Sequence, residues 1–174
     1  MAAEIVLVGL GSNLHSEEYG PPLAVCRAAV DILRAEGLRP VRQSRWYRSA
    51  PVPVSDQPWY INGVIALEKV LEPTPLLALL HRVEARFGRL RGATNPARVL
   101  DLDLLAYGDR IAAGGGGAPV LPHPRLHQRT FVLRPLSEVV PGWRHPRLGR
   151  TVEELIRILP RDQTAEVVTE LTTT

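Results

Sequence analysis

Residues 98–108 read RVLDLDLLAYG, a run rich in leucine that is broken by two aspartates one residue apart. In an extended strand successive side chains point to opposite faces, so Leu100, Leu102 and Leu104 share one face while Asp101 and Asp103 share the other. The leucine face has to be covered, which calls for helices on that side of a sheet. The aspartate face cannot be covered in the same way. Two carboxylates with Cβ atoms about 7 Å apart repel each other and lose hydration on burial, unless a cation lies between or beside them. Mg²⁺ suits such a pair, because one or two carboxylates hold it while phosphates and water complete its shell. A solvated strand edge, or a salt bridge to nearby arginines, is the other reading of the same residues.

The remaining segments indicate which sheet this strand enters. EIVLVGLGSN is a continuous apolar run ended by glycine and turn formers, as expected of a central strand over roughly residues 4–10. Leu23, Cys26, Val30 and Leu33 recur at steps of three and four, with Gly37 placed as a C-cap, which predicts an amphipathic helix. PVRQSRWYRS alternates like a strand, WYINGVIALEKV is a stronger one, and the turn-rich APVPVSDQP joins them as a long loop. In EPTPLLALLHRVEARFG, Thr74 is placed to cap a second helix with Pro75 at its first position. Leu76, Leu80, Val83 and Phe87 make its buried stripe before Gly88.

Residues 89–98, RLRGATNPAR, have no periodicity and read as a basic, mobile loop. After the aspartate strand, IAAGGGGAPVLP predicts a small hairpin with a glycine tip, and HPRLHQRTFVLRPLSEVVP reads as irregular to helical. Thr151 and Glu154 form a capping box for TVEELIRIL, which Pro160 closes, and the terminal TTT is expected to fray. The order β, α, β, β, α, β predicts a ferredoxin-like α+β fold, an antiparallel sheet with helices on one face, plus the small hairpin and C-terminal helices. The other face is left for loops, the C-terminal segments and a ligand.

With 174 residues, 45% of them hydrophobic and 22% charged, the chain is long enough for a single domain over residues 1–174, its core at about 4–160. No stretch approaches the apolar length of a membrane span, and the N-terminus lacks the basic and small-residue pattern of a signal peptide, so a soluble cytoplasmic protein is expected. The single cysteine, Cys26, excludes an internal disulfide, and no Cys or His cluster has the spacing of a zinc site.

The net charge of +3 comes almost wholly from arginine, Lys69 being the only lysine. A solvated basic surface is one reading. Arg82, Arg86, Arg89, Arg91 and Arg98 nevertheless fall within 17 residues, and arginine makes planar, bidentate contacts with phosphate oxygens. Beside two aspartates, that points to a clamp for a nucleotide triphosphate. GLGSNL is not a dinucleotide fingerprint, since Leu14 stands where the third glycine is needed. No P-loop pattern exists either. On the third strand Tyr60 and Asn62 share a face; the amide suits the polar edge of a heterocycle and the ring offers stacking, although a hydrogen bond to a neighbouring loop accounts for Asn62 equally well.

The motifs GLGSNL, RSAPV before DQPWYINGV, RVEARFGRLR, RVLDLDLLAYG and LPHPRLHQRTFVLRPLSEVVP occur in that order over about residues 4–145. Together they closely resemble the 6-hydroxymethyl-7,8-dihydropterin pyrophosphokinases of folate biosynthesis. The resemblance implies transfer of the β,γ-diphosphate of ATP to the pterin hydroxymethyl group, release of AMP, and two Mg²⁺ ions. By the same resemblance Asp101 and Asp103 are the metal ligands, and with Arg89 and Arg98 the catalytic set. Gly11, Ser49, Ala50, Val52, Tyr60, Asn62 and Phe131 bind the pterin. Arg91, Arg98, Leu104, His123 and Arg129 bind ATP, and Glu84 supports the ATP side from the second helix.

The family often carries a tryptophan followed by Gly-Pro-Arg in the loop, where this chain reads TNPAR and is one residue shorter. Thr-Pro is also common in the family where Ser49 and Ala50 stand, and an aromatic where Pro124 follows His123. The partners implied are two small molecules, with no nucleic acid, no membrane and a monomeric chain. The alternatives are another Mg²⁺-dependent nucleotidyl- or glycosyl-transferase using the aspartate pair, and an RNA-binding ferredoxin-like module. The last class expects aromatic motifs such as GFGFV on its central strands, and none is present.

Overall fold

The computed structural model describes residues 4–88 and 99–169. In chain order the elements are β1 (Ile5–Ser12), α1 (Pro22–Ala35), β2 (Pro40–Gln43), β3 (Tyr47–Ser49), β4 (Tyr60–Glu68), α2 (Pro73–Arg86), β5 (Asp101–Tyr107), β6 (Ala112–Gly115), β7 (Ala118–Leu121), α3 (Thr130–Val139), α4 (Val152–Ile158) and β8 (Ala165–Val167). The apolar run of β1 lies inside an antiparallel sheet of order β5-β1-β4-β3-β8, with β2 also paired to β4. The glycine-rich hairpin β6–β7 stands apart as its own two-stranded sheet.

Alternation sorts the sheet residues into two cores. Val6, Val8 and Leu10 of β1, Ile65 and Leu67 of β4, and Leu102 and Leu104 of β5 pack under α1 and α2, against Val25, Ala29, Leu33, Leu80 and Val83. On the opposite face Leu7, Val64, Ala66, Leu105 and Ala106 are covered by Leu133, Leu136 and Val139 of α3 and Leu155 of α4. The two N-terminal helices thus share one face, as the strand pattern requires, and the C-terminal helices close part of the other.

A bulge in β5 makes this division possible. Val8 pairs with Leu104 and Leu7 with Ala106, so Leu105 is an extra residue in the ladder. It places Leu105 and Ala106, neighbours in sequence, in the same core, and returns Tyr107 to the α1/α2 side. Upstream of the bulge the two aspartates keep the face opposite the leucines.

The structure departs from the sequence reading at three places. PVRQSRWYRS forms two short strands, because Ser44 interrupts the ladder: its Oγ accepts from Val64 N–H at 2.9 Å and donates to Arg45 C=O at 2.7 Å. Trp46 then lies against Gly63, where an added Cβ would come within 2.6 Å of the indole, so only glycine fits there. Helix α2 begins at Pro73, not after a Thr74 cap. Glu72 occupies the N-cap without a side-chain bond, and both prolines are tolerated because the first-turn N–H groups have no intrahelical partner. Finally, residues 165–167 add a strand beside β3, where the sequence suggests no element. The terminal TTT lies outside the described residues.

The capping box is present as read: Glu154 N–H donates to Thr151 Oγ1 at 3.2 Å, and Thr151 N–H donates to the Glu154 carboxylate at 3.2 Å. Thr151→Ala is therefore expected to cost about 1 kcal/mol, read as a lower urea midpoint with an unchanged m-value; no shift would mean that α4 is held by its packing alone.

Candidate active site

Beyond Leu7, the face of β1 opposite α1 and α2 carries only hydrogen atoms, at Gly9 and Gly11. Gly11 is paired with Asp101 on one side and Asn62 on the other, and Gly9 with Asp103 and Val64. Asp101, Gly11 and Asn62 therefore form one row across three strands, with about 10 Å between the outer backbones. Carboxylates stand at one end of this row and a carboxamide at the other, with no side chain at Gly11 between them.

Each end is braced. Asn62 is 5% exposed and its Nδ2 donates to Ser49 Oγ at 2.6 Å, Ser49 itself being buried on β3. That bond leaves Oδ1 toward the glycine, where a Cβ at Gly11 would stand only 3.1 Å from it. At the carboxylate end Asp101 and Asp103 are half-buried and flank Leu102, whose N–H donates to Glu84 Oε2 at 3.3 Å. Glu84 is 3% exposed. A buried carboxylate on α2 thus satisfies an edge-strand donor located between the two aspartates, and its part in the site runs through β5.

The loop between β3 and β4 is tied down by residues that sequence reasoning missed. Asn13 Nδ2 donates to Gln57 Oε1 at 3.1 Å and to Pro58 C=O at 3.2 Å, and the Tyr60 hydroxyl donates to the same Gln57 oxygen at 3.3 Å. Asn13 is buried. The signal in sequence is faint: a polar residue just past a central strand, matched to a glutamine 44 positions away. Ala50 is half-buried in this loop and Val52 is 53% exposed, a large apolar side chain facing outward.

The C-terminal part carries three more of the residues singled out in the sequence, His123, Arg129 and Phe131. His123 N–H donates to Leu105 C=O at 2.8 Å, the carbonyl of the bulge residue, and His123 Nδ1 accepts from Arg125 N–H at 3.1 Å. Burial, then the nearby Arg129 and Arg125, pull its imidazole down to about 4, so His123 is neutral at physiological pH and presents Nε2–H. The Arg129 guanidinium lies 5.4 Å from the centre of the Phe131 ring, a cation–π pair, at the entry to α3. The Leu104 side chain, by contrast, is 4% exposed in the core under α1 and α2, so only its main chain is available to a ligand. Arg89, Arg91 and Arg98 lie outside the described residues, and Arg86 pairs with Glu36 at 2.6 Å.

A sequence model of the 7,8-dihydro-6-hydroxymethylpterin-pyrophosphokinases matches residues 7–141. The chain belongs to that family. It is 40% identical over 151 residues to the 2-amino-4-hydroxy-6-hydroxymethyldihydropteridine pyrophosphokinase of Synechocystis, covering 86% of this chain and 73% of that one. The corresponding enzyme of Pseudomonas aeruginosa is 38% identical over 158 residues, covering 89% and 91%. Among solved structures the fold is shared with HPPK-DHPS of Plasmodium falciparum, at a TM-score of 0.65 and 13% identity. That match covers 90% of this chain and 43% of the longer one, so this chain spans less than half of it.

Two imidazoles, one buried and one half-buried, give this pyrophosphokinase-family fold an acid limit. His145, 3% exposed, accepts at Nδ1 from the N–H groups of Arg147 and Leu148, and burial, with His127 and Arg147 nearby, pulls it to about 4. Both groups stay neutral in the folded chain down to about pH 4 but take up protons in the unfolded chain below the ordinary value of 6.5. Stability is accordingly full above pH 6.5 and falls as the pH drops from 6.5 to 4. Urea midpoints across that window should fall, and should fall less in a His123→Gln/His145→Gln variant; an equal slope in the two proteins would contradict it.

Proposed function

We propose that this protein transfers the β,γ-diphosphate of ATP to the hydroxymethyl group of 6-hydroxymethyl-7,8-dihydropterin and releases AMP, as a step of folate biosynthesis. The observation that carries this is the row Asp101, Gly11, Asn62 in a chain that matches the pyrophosphokinase family over residues 7–141.

The pterin lies beside Gly11, with its polar edge on Asn62 and its faces stacked by Tyr60 and Phe131. Asn62 is suited to this because Ser49 fixes the rotation of its amide. Ser49, Ala50 and Val52 line the pocket, and the Asn13–Gln57 tie holds the loop that carries Val52. Held in this way, the hydroxymethyl group points along the row to the aspartate end. ATP lies there, along β5 and the start of α3, with its phosphates met by Arg89, Arg91, Arg98, His123 and Arg129, and its base near the Leu104 main chain.

Asp101 and Asp103 suit Mg²⁺. They are two half-buried carboxylates on one face, and no cluster of three or more His, Cys, Asp or Glu side chains suited to a metal exists among the described residues; substrate phosphates and water would complete the shell of a hard cation. When bound, two Mg²⁺ ions supply positive charge against the phosphate oxygens as the bond to AMP breaks. The chain itself contributes positioning. Glu84 holds the β5 backbone between the aspartates, neutral His123 donates a hydrogen bond, and the arginines offset charge spread over the transferred group. The hydroxymethyl oxygen bonds to the β-phosphorus and loses its proton to solvent water, while the bond from the β-phosphorus to the bridging oxygen breaks and that oxygen departs with AMP.

In this reading the single domain acts as a cytoplasmic monomer on two small molecules, without nucleic acid or membrane. No helix among the described residues is long and apolar enough to cross a membrane. AMP formation from ATP should require added 6-hydroxymethyl-dihydropterin, and Asp103→Ala should lower it by about 10³-fold or more. AMP release that ignores the pterin, or near-normal diphosphate transfer in the variant, would overturn the reading.

A further inference from the structure

Arg129 and Phe131 stand at the turn from the Leu126–Gln128 3-10 helix into α3, where the Arg129 C=O accepts from the N–H groups of Val132 and Leu133. Arg129 occupies the N-cap of α3 with no side-chain cap bond. The missing partner comes from the C-terminal segment. Gln163 Oε1 accepts from Thr130 N–H at 2.9 Å, and Gln163 Nε2 donates to Gln128 C=O at 3.0 Å. One carboxamide thus bonds the main chain on both sides of Arg129, the only residue between, and fixes it in an extended conformation (φ −124°, ψ 111°). That conformation sets where the guanidinium leaves the backbone, over the Phe131 ring.

Gln163 is itself anchored two residues on. Ala165 pairs with Ser49, Glu166 with Arg48 and Val167 with Tyr47, and Val168 N–H donates to Trp46 C=O at 2.8 Å. The same short segment therefore braces β3, which carries the partner of Asn62, and the start of α3. It lies wholly beyond residues 7–141, the part that matches the family.

We infer that Gln163 is a positioning residue for the substrate site, setting the aim of Arg129 and Phe131 through a two-sided bond to the main chain. This rests on the function proposed above, which gives Arg129 to ATP and Phe131 to the pterin. Two good hydrogen bonds are lost in Gln163→Ala, so the KM for ATP and for the dihydropterin should each rise about tenfold, with kcat changed much less. Gln163→Glu keeps an acceptor for Thr130 N–H but sets a carboxylate oxygen against Gln128 C=O in place of the donor, so both KM values should stay raised, because the inference needs both sides of the bond. Glu166→Ala, on an exposed β8 position, should behave as wild type.

Amide hydrogen exchange at Thr130 in the ligand-free protein gives a readout that does not depend on activity: exchange should accelerate in Gln163→Ala, and less in Gln163→Glu, which keeps the acceptor. A Gln163→Ala protein with wild-type KM values, or one that only melts earlier with both KM values unchanged, overturns the inference. If the wild-type protein shows no pterin-dependent AMP release, the proposed function has failed, and unchanged Thr130 exchange in the variant would separately show that the Gln163 bond does not hold the turn.

Discussion

The row that carries the candidate site depends on the missing side chain of Gly11, while Gly9 leaves room for Leu105. Gly9 and Gly11 sit on the inner strand β1 between Asp101 and Asp103 on β5 and Asn62 on β4. Any Cβ at residue 11 would press on the Asn62 amide at 3.1 Å. In the proposed function a flat ligand lies beside Gly11, which requires that no side chain stand there. Ser49 and Glu84 brace the two ends of the row.

Two carboxylates cannot be covered as apolar residues are, since burial strips their hydration. The molecule sets them beside a face that is otherwise covered by α3 and α4. The bulge at Leu105 turns two successive residues toward α3 and α4, so the second core is dense up to the edge of the polar row. Glu84, reaching from the other side, satisfies the buried N–H of Leu102, which lets an edge strand hold two carboxylates without leaving that donor unpaired. Packing and polar satisfaction thus meet on β5, and the charged pair stands where they meet.

Much of this was legible in the residues. The alternation of Leu100–Leu104 assigned β5 its two faces, the periodic leucines located α1 and α2, and Thr151 with Glu154 marked the start of α4, because each of these signals is local and repeats with the geometry of its element. The parts that sequence did not disclose are long-range pairings. The break at Ser44, the Asn13–Gln57 tie and the bond from Gln163 to the turn before α3 each depend on a partner brought close only by the sheet. The start of α2 was misplaced because EPTP offers two prolines and a threonine, and any of several starts satisfies the first-turn rules. Pro135 blurs the bounds of α3, since a proline within a helical stretch reads as a break, and that segment reads only as irregular to helical.

The central claim is that one row across three strands joins a pterin-reading amide to a phosphate-holding carboxylate pair. A crystal structure of the protein with 6-hydroxymethylpterin, Mg²⁺ and a non-hydrolysable ATP analogue tests it most directly. The account predicts the pterin flat beside Gly11, its polar edge on Asn62, its hydroxymethyl group toward Asp101 and Asp103, and the triphosphate at the aspartate end. A pterin bound away from Asn62, or a triphosphate with no density linking it to either aspartate, would contradict it.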